Sequence, residues 1–213
     1  DTTKHINEIR QMDIEVAFID DKGVMKYLEE AVQHIARKVL KERKEELNLL
    51  GVKLEVPKAK YLTYHEAIEL LNKHGFKLKS GDDFEPEAEK KLCFLFPNTI
   101  IFTYEWPSEI KPFYIWPKNP EKGTSAGFDA LYGGVEISSG GQRVHVPEIL
   151  IKRLKEKKLN PEDFKWYIDA FRYGAPMHAG WSIGLERITQ AMLKLDNIRE
   201  GTLFPRDRRR LTP

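Results

Sequence analysis

The stretch GGVEISSGGQR at residues 133–143 places a carboxylate, two hydroxyls and an arginine on one strand and the turn after it. Alternation along a strand sends Val135 and Ile137 to one side and Glu136 and Ser138 to the other. A flexible turn at Gly140-Gly141 follows. A carboxylate with a neighbouring hydroxyl suits Mg2+, a hard ion that takes few protein oxygens and completes its shell with water and substrate phosphates. Arg143, beyond the turn, offers a planar fork for a carboxylate. A plain Glu–Arg pair across a hairpin would account for the same residues.

A second constellation is GWSIGLER at residues 180–187. If residues 177–183 form a strand, Gly180 within it admits a flat ligand or another backbone where a side chain would block the approach. Gly184 then makes the strand-to-helix turn. In the helix that follows, Leu185, Ile188, Met192 and Leu195 share one face, while Arg187 points away from it. A cation at the positive end of a helix is locally unfavourable, and a bound polyphosphate would supply the reason. The alternative is that Glu186 and Arg187 are merely exposed and the glycines ease packing.

Other polar residues carry less signal. Lys4 and His5 sit in the polar stretch 1–8, and Lys111 lies between two apolar runs, either as a pocket cation or as a surface lysine. His145 and His178 are too isolated to be metal ligands by spacing. The basic cluster at 206–210 could meet a phosphate backbone, water or a second subunit.

These residues need elements to position them. Residues 11–20 alternate Met12, Ile14, Val16 and Phe18 against Asp13 and Glu15, as a half-buried strand does. Met25, Leu28, Val32, Ile35 and Val39 then recur at helical spacing. Thr63 with Glu66 three residues on forms a capping box for a short helix, and the acidic stretch 80–91 runs into another helix. Residues 99–105, 112–117, 128–132 and 134–138 are β-branched or aromatic and read as four strands of an antiparallel meander. Helices are expected at about 147–157 and 161–172, then a strand over 177–183 and a helix over 184–195. Strands and helices do not alternate regularly, so the fold class expected is α+β with an antiparallel sheet.

Composition narrows the function classes. The chain has 213 residues, with 35 Lys and Arg against 33 Asp and Glu, so any basic surface must be local. The one cysteine, Cys93, excludes an internal disulfide framework and a cysteine-only metal site. No apolar run approaches the roughly 20 residues of a membrane helix, and a cytoplasmic place is expected. Abundant Lys and Glu beside four Met and one Cys hints at a heat-adapted source.

Taken in order, FD at 128–129, VEISSGGQR at 135–143, GLER at 184–187, LDNIRE at 195–200 and LFPRDRRRLTP at 203–213 resemble the catalytic domain of archaeal-type aspartyl-tRNA synthetase. The resemblance runs essentially from end to end. It implies a class II synthetase fold, an antiparallel sheet flanked by helices, in a homodimer that uses ATP, L-aspartate, Mg2+ and tRNA. Residues 1–213 would then be a catalytic domain incomplete at its N-terminus, with a helical insertion at about 22–96. The family's first motif, the opening strand of its second motif and the anticodon-binding barrel would lie outside this sequence.

Roles carry over residue by residue. Gly184, with Leu185 and Glu186, lies near the nucleotide, and Arg187 meets the ATP phosphates. Glu136 and Ser139 hold Mg2+ and ATP, and Ser139 also lies close to aspartate. Arg143 pairs with the aspartate side-chain carboxylate, while Lys111 and Asp129 line the amino-acid pocket. Lys4, His5 and Ile6 match the end of the second-motif loop, which reaches ATP and the tRNA acceptor end. Lys4 replaces the family's usual Arg, which keeps the charge and loses the fork. Three neighbouring readings share these residues: an asparaginyl-tRNA synthetase, a tRNA-independent amide ligase on the same fold, and a noncatalytic ATP-binding paralogue. The asparaginyl family resembles GGSER where this chain has SGGQR.

Overall fold

The computed structural model describes residues 2–212; Asp1, at the head of the polar stretch 1–8, and Pro213, at the end of the basic tail, lie outside the described residues. Six strands form one sheet: β1 (Gln11–Ala17), β2 (Lys58–Thr63), β3 (Thr99–Tyr104), β4 (Gly127–Tyr132), β5 (Val135–Gln142) and β6 (His178–Gly184), in the spatial order β1-β6-β5-β4-β3-β2. β3 to β6 form an antiparallel meander, and β1 adds antiparallel to β6.

The sheet departs from the expected all-antiparallel one at its far edge, where β2 runs parallel to β3. Parallel neighbours need a long crossover, and α3 (Tyr64–Lys73) and α4 (Pro86–Leu95) supply it. The stretch 22–96 therefore holds a strand of the sheet as well as helices. The run 112–117 is not a strand: it forms turns with a single bridge, Ile115 to Arg143. Pro112 and Pro117 bracket it, and a residue without an N–H cannot donate to a ladder.

Local signals set the helices. Asp20 accepts from the Gly23 N–H and starts α1 (Asp21–Glu42), which buries Val24, Met25, Leu28, Val32 and Ala36. With α2 (Lys44–Leu49) and α7 (Leu185–Leu193), α1 covers one face of the sheet, against Phe102, Phe128, Ile137, Trp181 and Ile183. Thr63 and Glu66 make the expected capping box at α3. α3 and α4 cover part of the opposite face, where Tyr64, Leu71, Phe84 and Leu92 pack on Ile101, Trp106 and Leu131. A third cluster joins α5 (Pro147–Glu156) and α6 (Lys165–Arg172) to the loop at Phe113 and Trp116. The helix expected over 161–172 begins with a separate 3-10 turn, Pro161–Phe164. Among the described residues, no helix is long and apolar enough to cross a membrane.

β1 is a strand as expected but ends at Ala17, before Phe18, which turns out of it with φ of 62° and is 80% exposed; within β1, Met12 is 44% exposed. β1 is the edge strand, and only Ile14 packs partly against the main core.

Candidate active site

The open part of the second sheet face is polar because of strand register. Thr103 pairs with Asp129, Asp129 with Ser139, Ser139 with Ser182 and Ser182 with Asp13, so one transverse row crosses five strands. A neighbouring row runs Gly127, Gly141, Gly180 and Glu15. Short polar side chains beside three glycines leave a trough over the sheet.

The turn chemistry differs from the sequence expectation. Gly133 and Gly134, with φ of 60° and 85°, make the two-residue turn between β4 and β5. Gly140 and Gly141 lie within β5 instead of at a turn. A Cβ on Gly140 would stand 2.6 Å from the Phe128 ring and 2.5 Å from the Gly180 carbonyl. The pairing also shifts between Ala130 and Leu131, so that Leu131 faces Glu136 and Ala130 faces Ser138. This bulge absorbs Ile137. Ser138 is buried opposite Ala130 and Ile183, and Ser139 takes the exposed place beside Asp129.

Three cavities meet at Glu136. One of about 240 Å³ is lined by Lys4, His5, Ile6, Glu136, Ser139, Gly184, Glu186 and Arg187, which brings together most of the residues expected at ATP. A second, of about 720 Å³, is lined by Lys111, Asp129, Glu136, Ser139 and Arg143, with Asp13, Glu15 and Ser182. A third, of about 130 Å³, adds Asp83, Glu89 and Trp106 to Asp129 and Glu136. Leu185 alone of the expected nucleotide residues is absent from these linings; it is 47% exposed, and thus also departs from the shared buried face of Ile188 and Met192.

Arg187 is not a free surface cation. It donates to the Glu136 carbonyl at 3.0 Å and stands 3.2 Å from His5 Nε2. Burial and the neighbouring Arg187 lower the His5 pKa, which keeps the ring neutral. Glu186 is buried and accepts the Arg10 N–H at 3.1 Å, fixing the start of α7 against the segment before β1. Lys4 Nζ donates to the Gly134 carbonyl at 3.3 Å and lies 3.6 Å from Glu89.

The second cavity holds two ion pairs. Lys111 Nζ meets Asp129 Oδ2 at 2.5 Å and lies 4.2 Å from the centre of the Trp106 ring. Burial raises the Asp129 pKa despite that lysine. Arg143 grips Glu15 of β1 with its Nη2 at 2.6 Å and its Nε at 3.0 Å, so its partner comes from the edge strand and not from across a hairpin. The Glu15 side chain is half-exposed. Asp13, Glu15, Ser182 and Glu89 were missed as site residues. The polar side of the β1 alternation was the signal for the first two; the others depend on long-range register and packing.

Glu136 forms no ion pair among the described residues. Burial, then the Asp129 charge, pushes its carboxyl up to about 7, with Arg187 opposing. Among the described residues no three His, Cys, Asp or Glu side chains are grouped to hold a metal ion. One carboxylate lacking a cation, with the exposed Ser139 hydroxyl nearby, fits an ion that binds few protein oxygens and completes its shell on phosphates.

Two cavities, of about 240 and about 720 Å³, thus meet at one carboxylate over a mostly antiparallel sheet. The model for tRNA synthetases class II (D, K and N) matches residues 1–208, and the chain belongs to that family. Within it, the chain is 44% identical to the aspartate–tRNA(Asp) ligase of Thermoplasma acidophilum over 214 residues, covering 100% of this chain and 50% of that protein. The aspartyl-tRNA synthetase of Entamoeba histolytica superposes with a TM-score of 0.92 at 36% identity, over 100% of this chain and 46% of that one. The asparaginyl-tRNA synthetase of Pyrococcus horikoshii, solved with asparaginyl-adenylate, also gives 0.92, at 32% identity, over 100% of this chain and 50% of that one. The chain thus spans about half the length of the curated relatives it matches.

Proposed function

We propose that the chain carries the site that activates L-aspartate with ATP and passes it to tRNA. The observation that supports this most directly is Glu136, shared by a cavity lined with Arg187, Lys4 and His5 and a cavity lined with Arg143 and Lys111. An aspartyl-adenylate would span the two, its phosphate near the shared carboxylate.

The aspartate α-carboxylate oxygen attacks the α-phosphorus of ATP, and the bond to the leaving pyrophosphate breaks. The terminal ribose hydroxyl of tRNA then attacks the acyl carbon, the bond from that carbon to the bridging oxygen breaks, AMP leaves with that oxygen, and the hydroxyl proton passes to the departing phosphate or to water. Neither step needs a covalent nucleophile from the protein, so catalysis is positioning and charge stabilisation. Arg187 supplies positive charge where negative charge builds up on the phosphates, and Gly184, Ile6 and His5 shape the nucleotide side. Glu136 and Ser139 would hold Mg2+, which when bound neutralises phosphate charge.

Arg143 selects the side chain. Its present partner, Glu15, has a side chain 51% exposed and can swing into water, while the Arg143 side chain, 16% exposed, stays in the cavity. A substrate carboxylate can therefore take its place on the guanidinium. Asparagine offers one acceptor oxygen and an NH2 that cannot accept, leaving half the fork unused. Lys111 and Asp129, paired with each other, line the same cavity and offer opposite charges to the α-carboxylate and α-ammonium at the substrate's other end.

A homodimer, a cytoplasmic place and the reading of 22–96 as an insertion belong to the same proposal, on family resemblance. Aspartate-dependent ATP–pyrophosphate exchange in the intact protein, with asparagine as control, tests it. Exchange with aspartate and little with asparagine is expected; equal rates with both, or none, would overturn it. Arg143→Ala should raise the aspartate KM by at least tenfold.

A further inference from the structure

Positive charge in this chain is concentrated near its end. Residues 199–210 carry five arginines against two carboxylates, in a chain whose net charge is only +2. Arg199, Arg208 and Arg209, with Asn197, line an open cavity of about 740 Å³ in which Asp207 is the one acid among the lining residues.

The cavity is built from fixed pieces. Asn197 and Glu200 cap a 3-10 turn, Ile198–Gly201. Arg199 donates to Asp207 at 2.9 Å and to the Thr2 carbonyl at 3.3 Å. Asp207 accepts the backbone N–H groups of Arg209 and Arg210 at 2.8 and 3.0 Å. The whole unit is tied to the segment that bears Lys4 and His5: Ile198 N–H donates to the Thr3 carbonyl at 2.8 Å, and Asn7 N–H to the Arg206 carbonyl at 2.9 Å. Asn197 lines the arginine cavity while Ile198, next in sequence, lines the nucleotide cavity.

An arginine-lined cavity suits phosphodiester oxygens, which accept paired N–H donors. We propose that it receives backbone phosphates of the RNA acceptor end, holding the strand whose terminal ribose must enter the adjacent nucleotide cavity. This rests on the functional reading above and adds a place where the RNA is held. The contacts are to phosphate, so they carry affinity and not base identity.

The test uses the intact protein and an acceptor-stem minihelix RNA, with binding followed by fluorescence anisotropy between 50 and 200 mM salt. Arg208→Ala/Arg209→Ala should weaken binding about tenfold and lower the slope of log K against log salt by about 2, and single Arg→Gln changes by about 1 each. ATP–pyrophosphate exchange needs no RNA and should persist in all of them. Wild-type affinity and slope in the variants would overturn the proposal, as would a changed oligomeric mass with RNA binding intact, which would make the cluster a subunit contact. Wild-type protein lacking aspartate-dependent exchange would sink the activation reading instead, and minihelix binding reports on the arginines separately.

Discussion

Gly180→Ala tests whether the trough depends on close strand contact. Glu15 of β1 lies directly opposite Gly180 of β6. A Cβ at 180 would stand 2.2 Å from the Ile14 carbonyl oxygen, 2.3 Å from Glu15 Cδ and 2.4 Å from Glu15 Oε1. The Glu15 side chain can swing away, being half-exposed, but the Ile14 carbonyl is backbone. Restoring an ordinary contact there takes a shift of about 1 Å, and overpacking of this kind costs about 1–3 kcal/mol. The shift also moves Asp13 and Glu15 in the cavity wall and frees Arg143 from its partner. A misplacement of about 1 Å can reduce turnover by about 100-fold. Urea unfolding should show the stability loss, and pyrophosphate exchange should fall with a raised aspartate KM while the ATP KM changes less. A variant within about 0.3 kcal/mol of wild type, with unchanged aspartate kinetics, would refute the reasoning.

Arg187→Ala should lower the exchange rate by about 100- to 1,000-fold, the loss typical of one electrostatic donor, with a melting temperature near wild type; exchange close to normal would remove Arg187 from the chemistry. Lys118→Met strips the buried Asp21 of an ammonium 2.7 Å away, and breaking a buried pair costs about 3–5 kcal/mol. Burial already raises the Asp21 pKa against Lys118's pull, and the variant should raise it further. A raised carboxyl binds its proton more tightly in the folded state, so the loss should be full above the folded pKa and shrink as pH falls toward the unfolded value of about 4. Urea titrations at pH 8 and pH 5 check this, and equal losses at both would refute it. Burial lifts the Cys93 thiol to about 11, so little of it is ionised at pH 7.5. Cys93 is only partly buried and lines an open cavity, so alkylation at pH 7.5 should be slowed by its raised pKa more than by access, and should speed up when urea unfolds the chain; labelling of folded protein as fast as of unfolded would contradict the raised thiol.

What was legible in the sequence was mostly local. The α1 periodicity and the Thr63–Glu66 box involve neighbours three or four residues apart, and both stand in the structure. β2 escaped notice because KAKYLT is largely polar and exposed; it becomes a strand through its partner β3, some 40 residues on. The run 112–117 shows the opposite error: its composition is strand-like, but the Ile115 N–H turns back on the Pro112 carbonyl, and only the Tyr114 and Trp116 backbones bond to neighbouring segments. Family resemblance named Ser139 where plain alternation favoured Ser138, and the bulge at Ala130 and Leu131 explains why alternation failed.

The glycines bear a different meaning once register is known. In the sequence, Gly140, Gly141 and Gly180 suggest flexibility or room for a ligand. In the structure, Gly140 is pressed by Phe128 and Trp181, and Gly180 by Ile14 and Glu15. Gly127 completes the row, where a Cβ would come 3.3 Å from both Lys111 Cγ and Ile115. The contacts at Gly127 and Gly180 are packing constraints on the walls of the second cavity, because Lys111, Ile115 and Glu15 all line it, whereas Gly140 is held against the main core. Lack of side chains there lets the loop at 111–115 and the edge strand close in over the sheet, which brings Lys111 to Asp129 and Glu15 to Arg143. The room over this part of the sheet is therefore set by how near these walls come, and a methyl group at Gly127 or Gly180 should push a wall outward and not fill the cavity.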